Sequence, residues 1–291
     1  MSTPTTDQPA VSETRTRYLR DGYLVVKDAL ARVEIEQLTT EAIRICRGEL
    51  GAISGAPRLS GEETDDELMQ RFLCIHHPHK ISRVVADYLA HPAITDVLTQ
   101  VIGPNVKCMQ AMLFIKSAGK PGQAWHQDED FIPTRDRSLI GAWIALDDAT
   151  TENGCLWVIP GSHRHGILWE LREQRDEQFD CADEAVGFPY SDEEAIPVEV
   201  TAGSIVFFNG YLLHRSLPNR ASSGYRRALV NHYMSAESLL PWRAGVDATA
   251  DFRDILMVAG TDPYAYKGFE SRLTTHIRPD GSGGCEWPEG S

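Results

Sequence analysis

The chain has 291 residues, 42% hydrophobic and 24% charged, which is enough to bury one sizeable core. A net charge of −14 repels phosphate backbones, so nucleic acid is not an expected partner. The N-terminal segment lacks the apolar run of a secretory signal, and no stretch approaches the roughly 18 apolar residues of a membrane span. No membrane association and a cytoplasmic location are expected.

Residues 1–12 are polar with two prolines and read as a disordered arm. "TRTRYLRDG" predicts a helix stopped by Gly22, and "YLVVKDAL" a strand. "ARVEIEQLTTEAIRICRGEL" carries Val33, Leu38, Ile43 and Ile45 at helical spacing. Residues 51–70 read as a Gly-, Ser- and acid-rich loop. A further helical stretch over "HKISRVVADYLAHPAITDVLTQVIG" is punctuated at "AHP", since the residue before a proline is pushed out of the helical region. From Val106 onward the text becomes short β-rich runs: "VKCMQAMLFIKS", "LIGAWIALDDA", "CLWVIPGSH", "AIPVEVTAGSIVFFNG" and "RRALVNHYMS". Turn residues separate them, as in a β-sandwich or barrel. The six cysteines form no C-x-x-C pair and are expected to be reduced thiols.

The expected fold is mainly β with flanking helices: a double-stranded β-helix, or cupin-like jelly roll, wrapped by N-terminal α-helices. One domain is expected over 13–276, with its jelly-roll core at about 106–236 and a flexible tail at 277–291. The acidic insert 166–195 and the segment 237–267 are lid candidates.

Chemistry concentrates in "AWHQDEDFIP". His126 and Asp128 stand two apart, and in a strand residues i and i+2 share a face. His214 follows the strand-like run Ile205–Phe208 and the Asn209–Gly210 turn. Two histidines and one carboxylate form a set that leaves coordination positions open and suits non-haem Fe(II); zinc accepts the same donors. Arg226 opens the next strand. A guanidinium there can hold the far carboxylate of a 2-oxo acid through two charge-assisted bonds, and Ser216 can donate to the same group. Arg227 is adjacent, only one of the two can face the interior, and position alone leaves that choice open.

"HQD" with "GAWIALDDATTENGCLWVIPGSH", "AGSIVFFNGYLLHRSLPN" and "YRRALVNHYM" resembles the phytanoyl-CoA dioxygenase family over about residues 106–236, with a looser match in the N-terminal helices. The resemblance implies a jelly-roll oxygenase that uses Fe(II), 2-oxoglutarate and O2. It implies His126, Asp128 and His214 as iron ligands, and Arg226 with Ser216 as anchors of 2-oxoglutarate. Trp143, Met112 and Gln110 would line the cosubstrate pocket, and Arg71 would match a basic residue near it. The substrate would be a small metabolite or natural product, the acidic surface disfavouring a CoA thioester. With the carboxylate of Asp128 present, hydroxylation is the expected reaction, and desaturation, cyclisation and epimerisation use the same oxidant. The alternatives are a cupin-like zinc hydrolase or isomerase and a non-catalytic 2-oxoglutarate sensor.

Other residues carry weaker expectations. The tract His76–His79 reads as loop histidines or one substrate contact, and His163 and His165 as structural. By strand alternation Glu129 faces away from the metal and Asp130 inward. Trp125 and Phe131 flank the site, and Trp242 closes over substrate.

Overall fold

The structure is a computed structural model that describes residues 12–238, 256–268, 273–279, 281, 285–286 and 288. Most of the N-terminal arm, Trp242 and residues 239–255 of the second lid candidate lie outside the described residues. The N-terminal part runs α1 (Glu13–Asp21), β1 (Tyr23–Val26), α2 (Arg32–Cys46), α3 (Asp65–Met69), β2 (Cys74–His76), α4 (Arg83–Tyr88) and α5 (Pro92–Val101). The β-rich part follows as β3 (Val106–Ser117), β4 (Gln123–His126), α6 (Asp128–Phe131), β5 (Ile140–Ala145), β6 (Leu156–Val158), β7 (Glu170–Arg172) and β8 (Glu184–Val186). It ends with β9 (Ile196–Val198), β10 (Ile205–Asn209), β11 (His214–Ser216), β12 (Tyr225–Ser235), β13 (Leu256–Ala259) and β14 (His276–Arg278).

A large antiparallel sheet has the order β1-β10-β5-β12-β3-β2-β14, with β13 also on β3, and a smaller sheet has the order β4-β11-β6-β9. Side chains alternate across each strand, so the large sheet feeds two cores. Ile205, Phe207, Leu229 and Tyr233 point toward the helices and meet Leu38, Ala42 and Ile45 of α2 and Ile94, Val97 and Leu98 of α5. Their neighbours Val206, Phe208, Ala228 and Val230 point the other way and pack between the sheets with Leu156 and Val158 of the smaller one. Each fully buried Leu, Ile or Phe contributes about 1.5–3 kcal/mol of transfer free energy. The two-sided burial explains why β5 and β10 read as near-continuous apolar runs.

The N-terminal expectations hold with local exceptions. Gly22 ends α1 at φ 82°, its N–H donating to the Tyr18 carbonyl at 2.8 Å. Val33 stands on the solvent side of α2 and is 69% exposed, so it is not part of the apolar face assigned to it. The expected loop 51–70 contains α3, whose N-cap Thr64 accepts from the Glu67 N–H while the Glu67 carboxylate accepts from the Thr64 N–H.

Two further expectations are corrected. Cys181 and Cys285 are joined in a disulfide, whereas the sequence reading left all six thiols reduced; the other four cysteines are free and buried. Residues 277 and 278, assigned to a flexible tail, lie in β14, which extends the large sheet beyond β2. Insert 166–195 is not wholly irregular, since β7 and β8 pair within it. Among the described residues no helix is long and apolar enough to cross a membrane.

Gly154 ties the loop after β5 to the site. Its φ is +84°, its carbonyl accepts from Arg226 Nε at 3.0 Å, and an added Cβ would lie 2.3 Å from the Leu217 carbonyl oxygen. Gly61 has the same handedness, φ +86°, with nothing near the Cβ position. Gly61→Ala is expected to cost only the backbone penalty of about 1 kcal/mol, and Gly154→Ala about 2 kcal/mol or more, because backbone must also move. Urea unfolding of the two variants checks this; equal losses would mean that the Gly154 loop is not packed as described.

Candidate metal centre and active site

His126 ends β4 and His214 begins β11, and the two are cross-strand partners in the smaller sheet. Their rings lie 4.1 Å apart between centroids. Each Nδ1 lies against the carbonyl two residues earlier, Ala124 at 2.8 Å and Leu212 at 2.9 Å. With Nδ1–H donating to those carbonyls, the Nε2 lone pairs are left to face Asp128 Oδ1, which is 3.6 Å from both. Asp128 opens the short turn of helix α6 directly after the strand. One donor atom from each of the three residues falls within 4.8 Å of the others, and all three are buried. Among the described residues no other group of three such side chains comes together.

The electrostatics suit a cation. Burial first, and then His214, push the His126 pKa down to about 3, so its ring is neutral and available as a donor at physiological pH. Burial works to raise the Asp128 pKa, but His214, His232 and the hydrogen bond from His232 outweigh it and hold the carboxyl well below its usual range. Neutral imidazole and ionised carboxylate are the forms a divalent metal needs.

His232 is a site residue that the sequence reading missed. It is buried on β12, and its Nε2 donates to Asp128 Oδ2 at 2.9 Å. The carboxylate is therefore bound on both sides, one oxygen toward the histidine pair and one to His232. A signal was available: His232 stands six residues after Arg226, on the same face of one strand.

The choice between the two arginines is settled by alternation. Arg227 turns away and is held by Asp147, with Nε–Oδ2 at 2.8 Å and Nη2–Oδ1 at 2.6 Å. Arg226 is buried and lines the cavity, its guanidinium carbon 5.5 Å from the Trp143 ring centroid and 6.0 Å from that of Phe114. It has no acidic partner among the described residues. Burial lowers its pKa to about 10, so it stays charged at neutral pH. Ser216 Oγ accepts from Lys116 Nζ at 2.9 Å and from the Gln123 N–H at 3.3 Å, which leaves its own proton to donate. Lys116 was also missed; it is buried, and burial followed by the nearby Arg226 holds its pKa well below the usual lysine value.

His126, Asp128, His214, Arg226 and His232 share a cavity of about 380 Å³, which Gln110, Met112, Trp143 and Ser216 also line. Phe131 stands at its edge, 45% exposed, with its ring edge-on to His126 at 6.2 Å. Trp125, expected to flank the site, points to the other side of β4, where it packs against Phe188 and beneath the Arg215 guanidinium. Strand alternation fails after Gln127 because α6 is a helical turn. Glu129 does not line the cavity, as expected, but it is buried, accepting from the Thr134 N–H and Oγ1, and burial pushes its pKa up to about 7. Asp130, expected to face inward, does not line the cavity, and burial raises its pKa to about 6. His76 ends β2 and lines the cavity. Arg71 does not; it bonds the Arg58 carbonyl and pairs with Glu63. His163 packs under Gly22 and contacts the Leu19 carbonyl, a structural role as expected.

A double-stranded β-helix with two buried histidines and a carboxylate at one point, and an arginine on the wall of the same cavity, defines the two-His-one-carboxylate class of jelly-roll proteins. The chain belongs to the phytanoyl-CoA dioxygenase (PhyH) family, whose profile matches residues 18–228. It is 33% identical over 164 residues to phytanoyl-CoA dioxygenase 1 of Oryza sativa subsp. japonica, covering 56% of this chain and 57% of that one. It thus spans little more than half the length of several relatives it matches. The fold is similar to that of the non-haem monooxygenase ThoJ in its apo form (TM-score 0.66, 24% identity, 92% of this chain and 88% of that one). It is also similar to EctD from S. alaskensis, solved with 2-oxoglutarate and 5-hydroxyectoine (TM-score 0.61, 22% identity, 85% and 84% covered).

If His232 orients Asp128, its loss will show in metal binding. His232→Ala is expected to weaken Co(II) binding about 10- to 100-fold, as losses of such outer partners do, while the fold survives. A Co(II) absorption titration of the apo-protein measures it, and unchanged affinity would leave His232 a cavity-wall residue only.

Proposed function

We propose that the protein is a non-haem Fe(II)- and 2-oxoglutarate-dependent dioxygenase that oxidises, most simply hydroxylates, an unactivated C–H bond of a small molecule. The observation that carries this reading is the joint burial of His126, Asp128 and His214 around one point beside Arg226, which has no acidic partner among the described residues. Family membership and a fold shared with EctD, itself solved with 2-oxoglutarate, support it. The three ligand residues fit Fe(II), offering two imidazole nitrogens and one carboxylate oxygen on one side and leaving the cavity side open. Bound there with 2-oxoglutarate and O2, iron supplies an oxidant strong enough for an unreactive C–H bond, with succinate and CO2 as co-products.

The chain's own residues bind and orient. Arg226 takes the distal carboxylate of 2-oxoglutarate through paired N–H donors, and Ser216, with its oxygen engaged by Lys116, donates its proton to the same carboxylate. Trp143, Met112 and Gln110 flank the cosubstrate, and Phe131 restricts water at the cavity edge. His232 holds Asp128 so that one oxygen stays on the metal side.

Anaerobic addition of Fe(II) and then 2-oxoglutarate to apo-protein is expected to give a weak visible charge-transfer band that requires both and is absent in His126→Ala. Tight zinc retention with no band would instead support a zinc hydrolase or isomerase. Arg226→Ala is expected to retain metal while the 2-oxoglutarate concentration for half-maximal band rises about 10- to 100-fold, the weight of a lost charged hydrogen-bonding partner. Asp128→Gly is expected to abolish succinate release in the presence of substrate while the two histidines keep weak metal binding.

A further inference from the structure

Arg278 is a buried charged group on the cavity wall that the proposed reaction does not use. It lies on β14, two strands from β3 in the large sheet, in register with Cys74 and through it with Phe114. Its residue exposure is 8%, and it lines the same cavity as His126, Asp128 and His214. Asp180 holds it from one side only: Arg278 Nη2 lies 3.1 Å from Asp180 Oδ1 and 3.0 Å from Oδ2. The Nε–H is buried with no partner among the described residues. Asp180 is itself fixed, its N–H donating to the Gly122 carbonyl at 2.8 Å and its Oδ1 accepting from the Ala182 N–H at 3.1 Å. The next residue, Cys181, lines the cavity and is disulfide-bonded to Cys285, so the two wall segments that meet at this ion pair are also joined covalently.

The other ionic side chains around the cavity have assigned surroundings. Asp128 faces the ligand histidines, and Arg226 serves the cosubstrate. Arg215 is bonded to Asp192 and stacked on Trp125, and Asp183 is exposed. A nine-tenths-buried guanidinium with an N–H unspent is destabilising unless a ligand oxygen completes it. Guanidinium is also the side chain best shaped for a planar oxyanion. We infer that Arg278 is the specificity residue of the substrate subsite, and that the substrate carries a carboxylate which Arg278 receives. This rests on the Fe(II)/2-oxoglutarate reading above. Asp180 then fixes the guanidinium at the wall, so that only a ligand reaching that wall while presenting its C–H bond to the metal is held.

The probe is a panel of straight-chain acids from butanoic to octanoic, each paired with its primary amide, which has the same shape but no charge. They are added anaerobically to holoenzyme saturated with Fe(II) and 2-oxoglutarate while the charge-transfer band is followed; succinate release in air is measured in parallel. The expected result is that one or more acids shift the band without bleaching it, with the matching amides needing at least tenfold more. Arg278→Gln is expected to raise the half-saturating acid concentration at least tenfold and leave the band itself intact. Since Arg278→Gln strands a buried carboxylate, Asp180→Asn/Arg278→Gln is made alongside it as the neutral pair. It is expected to show the same loss of acid response, with thermal unfolding near that of the wild type. Amides as effective as acids, no acid shifting the band, or an unchanged acid response in the double variant would each overturn the inference. A fall in 2-oxoglutarate affinity as large as that in Arg226→Ala would overturn it too, placing Arg278 with the cosubstrate. Failure of the band to form in the wild type would count against the dioxygenase reading instead.

Discussion

The site depends on one cross-strand pairing, His126 opposite His214 in the smaller sheet. Antiparallel neighbours bring Cβ atoms to within about 5 Å, so two imidazoles from distant parts of the chain meet with little additional machinery. What remains is to aim them. The Ala124 and Leu212 carbonyls do so by the same device on each strand, engaging Nδ1 so that Nε2 is the nitrogen presented inward. A slip of one residue in either strand would send its imidazole to the Trp125 side, where stacked aromatics and Arg215 leave no place for a cation. The smaller sheet is thus constrained by ligand geometry as much as by its apolar packing.

Around that pair, polar groups are stabilised in places where burial alone would forbid them. Asp128 is ionised inside the protein because three imidazoles surround it. Arg226 keeps its charge with its Nε on a backbone carbonyl and its guanidinium between aromatic faces. Lys116 sits under Ser216 with its ammonium group bonded to a hydroxyl and a carbonyl. Asp128 and Arg226 are paired on one side and line the cavity on the other, and Lys116 supports Ser216 from behind, which distinguishes a prepared site from a merely polar core. The large sheet makes the arrangement possible by giving one face to the helices, so that its other face is free to carry Met112, Trp143, Arg226 and His232 together.

Much of this was legible in the sequence, and the exceptions have physical causes. The jelly-roll pattern and the ligand set were readable because strand alternation and turn punctuation are local signals. The choice between Arg226 and Arg227 became clear only with the register, since Asp147, the partner that claims Arg227, comes from another strand. His232 and Lys116 were overlooked because a polar residue within a strand shows its role only once its partner is known, and Asp128 and Ser216 come from other elements. Alternation was extended past Gln127 into what is a helical turn, and Asp130 was misplaced for that reason. Arg278 and the Cys181–Cys285 bond were invisible for a different reason: both depend on contacts between segments about a hundred residues apart, and no local pattern encodes them.

Strand β14 has a consequence for the order in which the protein becomes competent. All three candidate metal ligands have been synthesised by residue 214, and the strands that hold them can pair as soon as β12 follows. The wall at Arg278 arrives some sixty residues later and docks on the edge of β2, a strand from the N-terminal third of the chain. A nascent chain can therefore present a metal-ready site well before its cavity is enclosed. The late position of β14 makes the edge of β2 the place where the last described strand closes the large sheet.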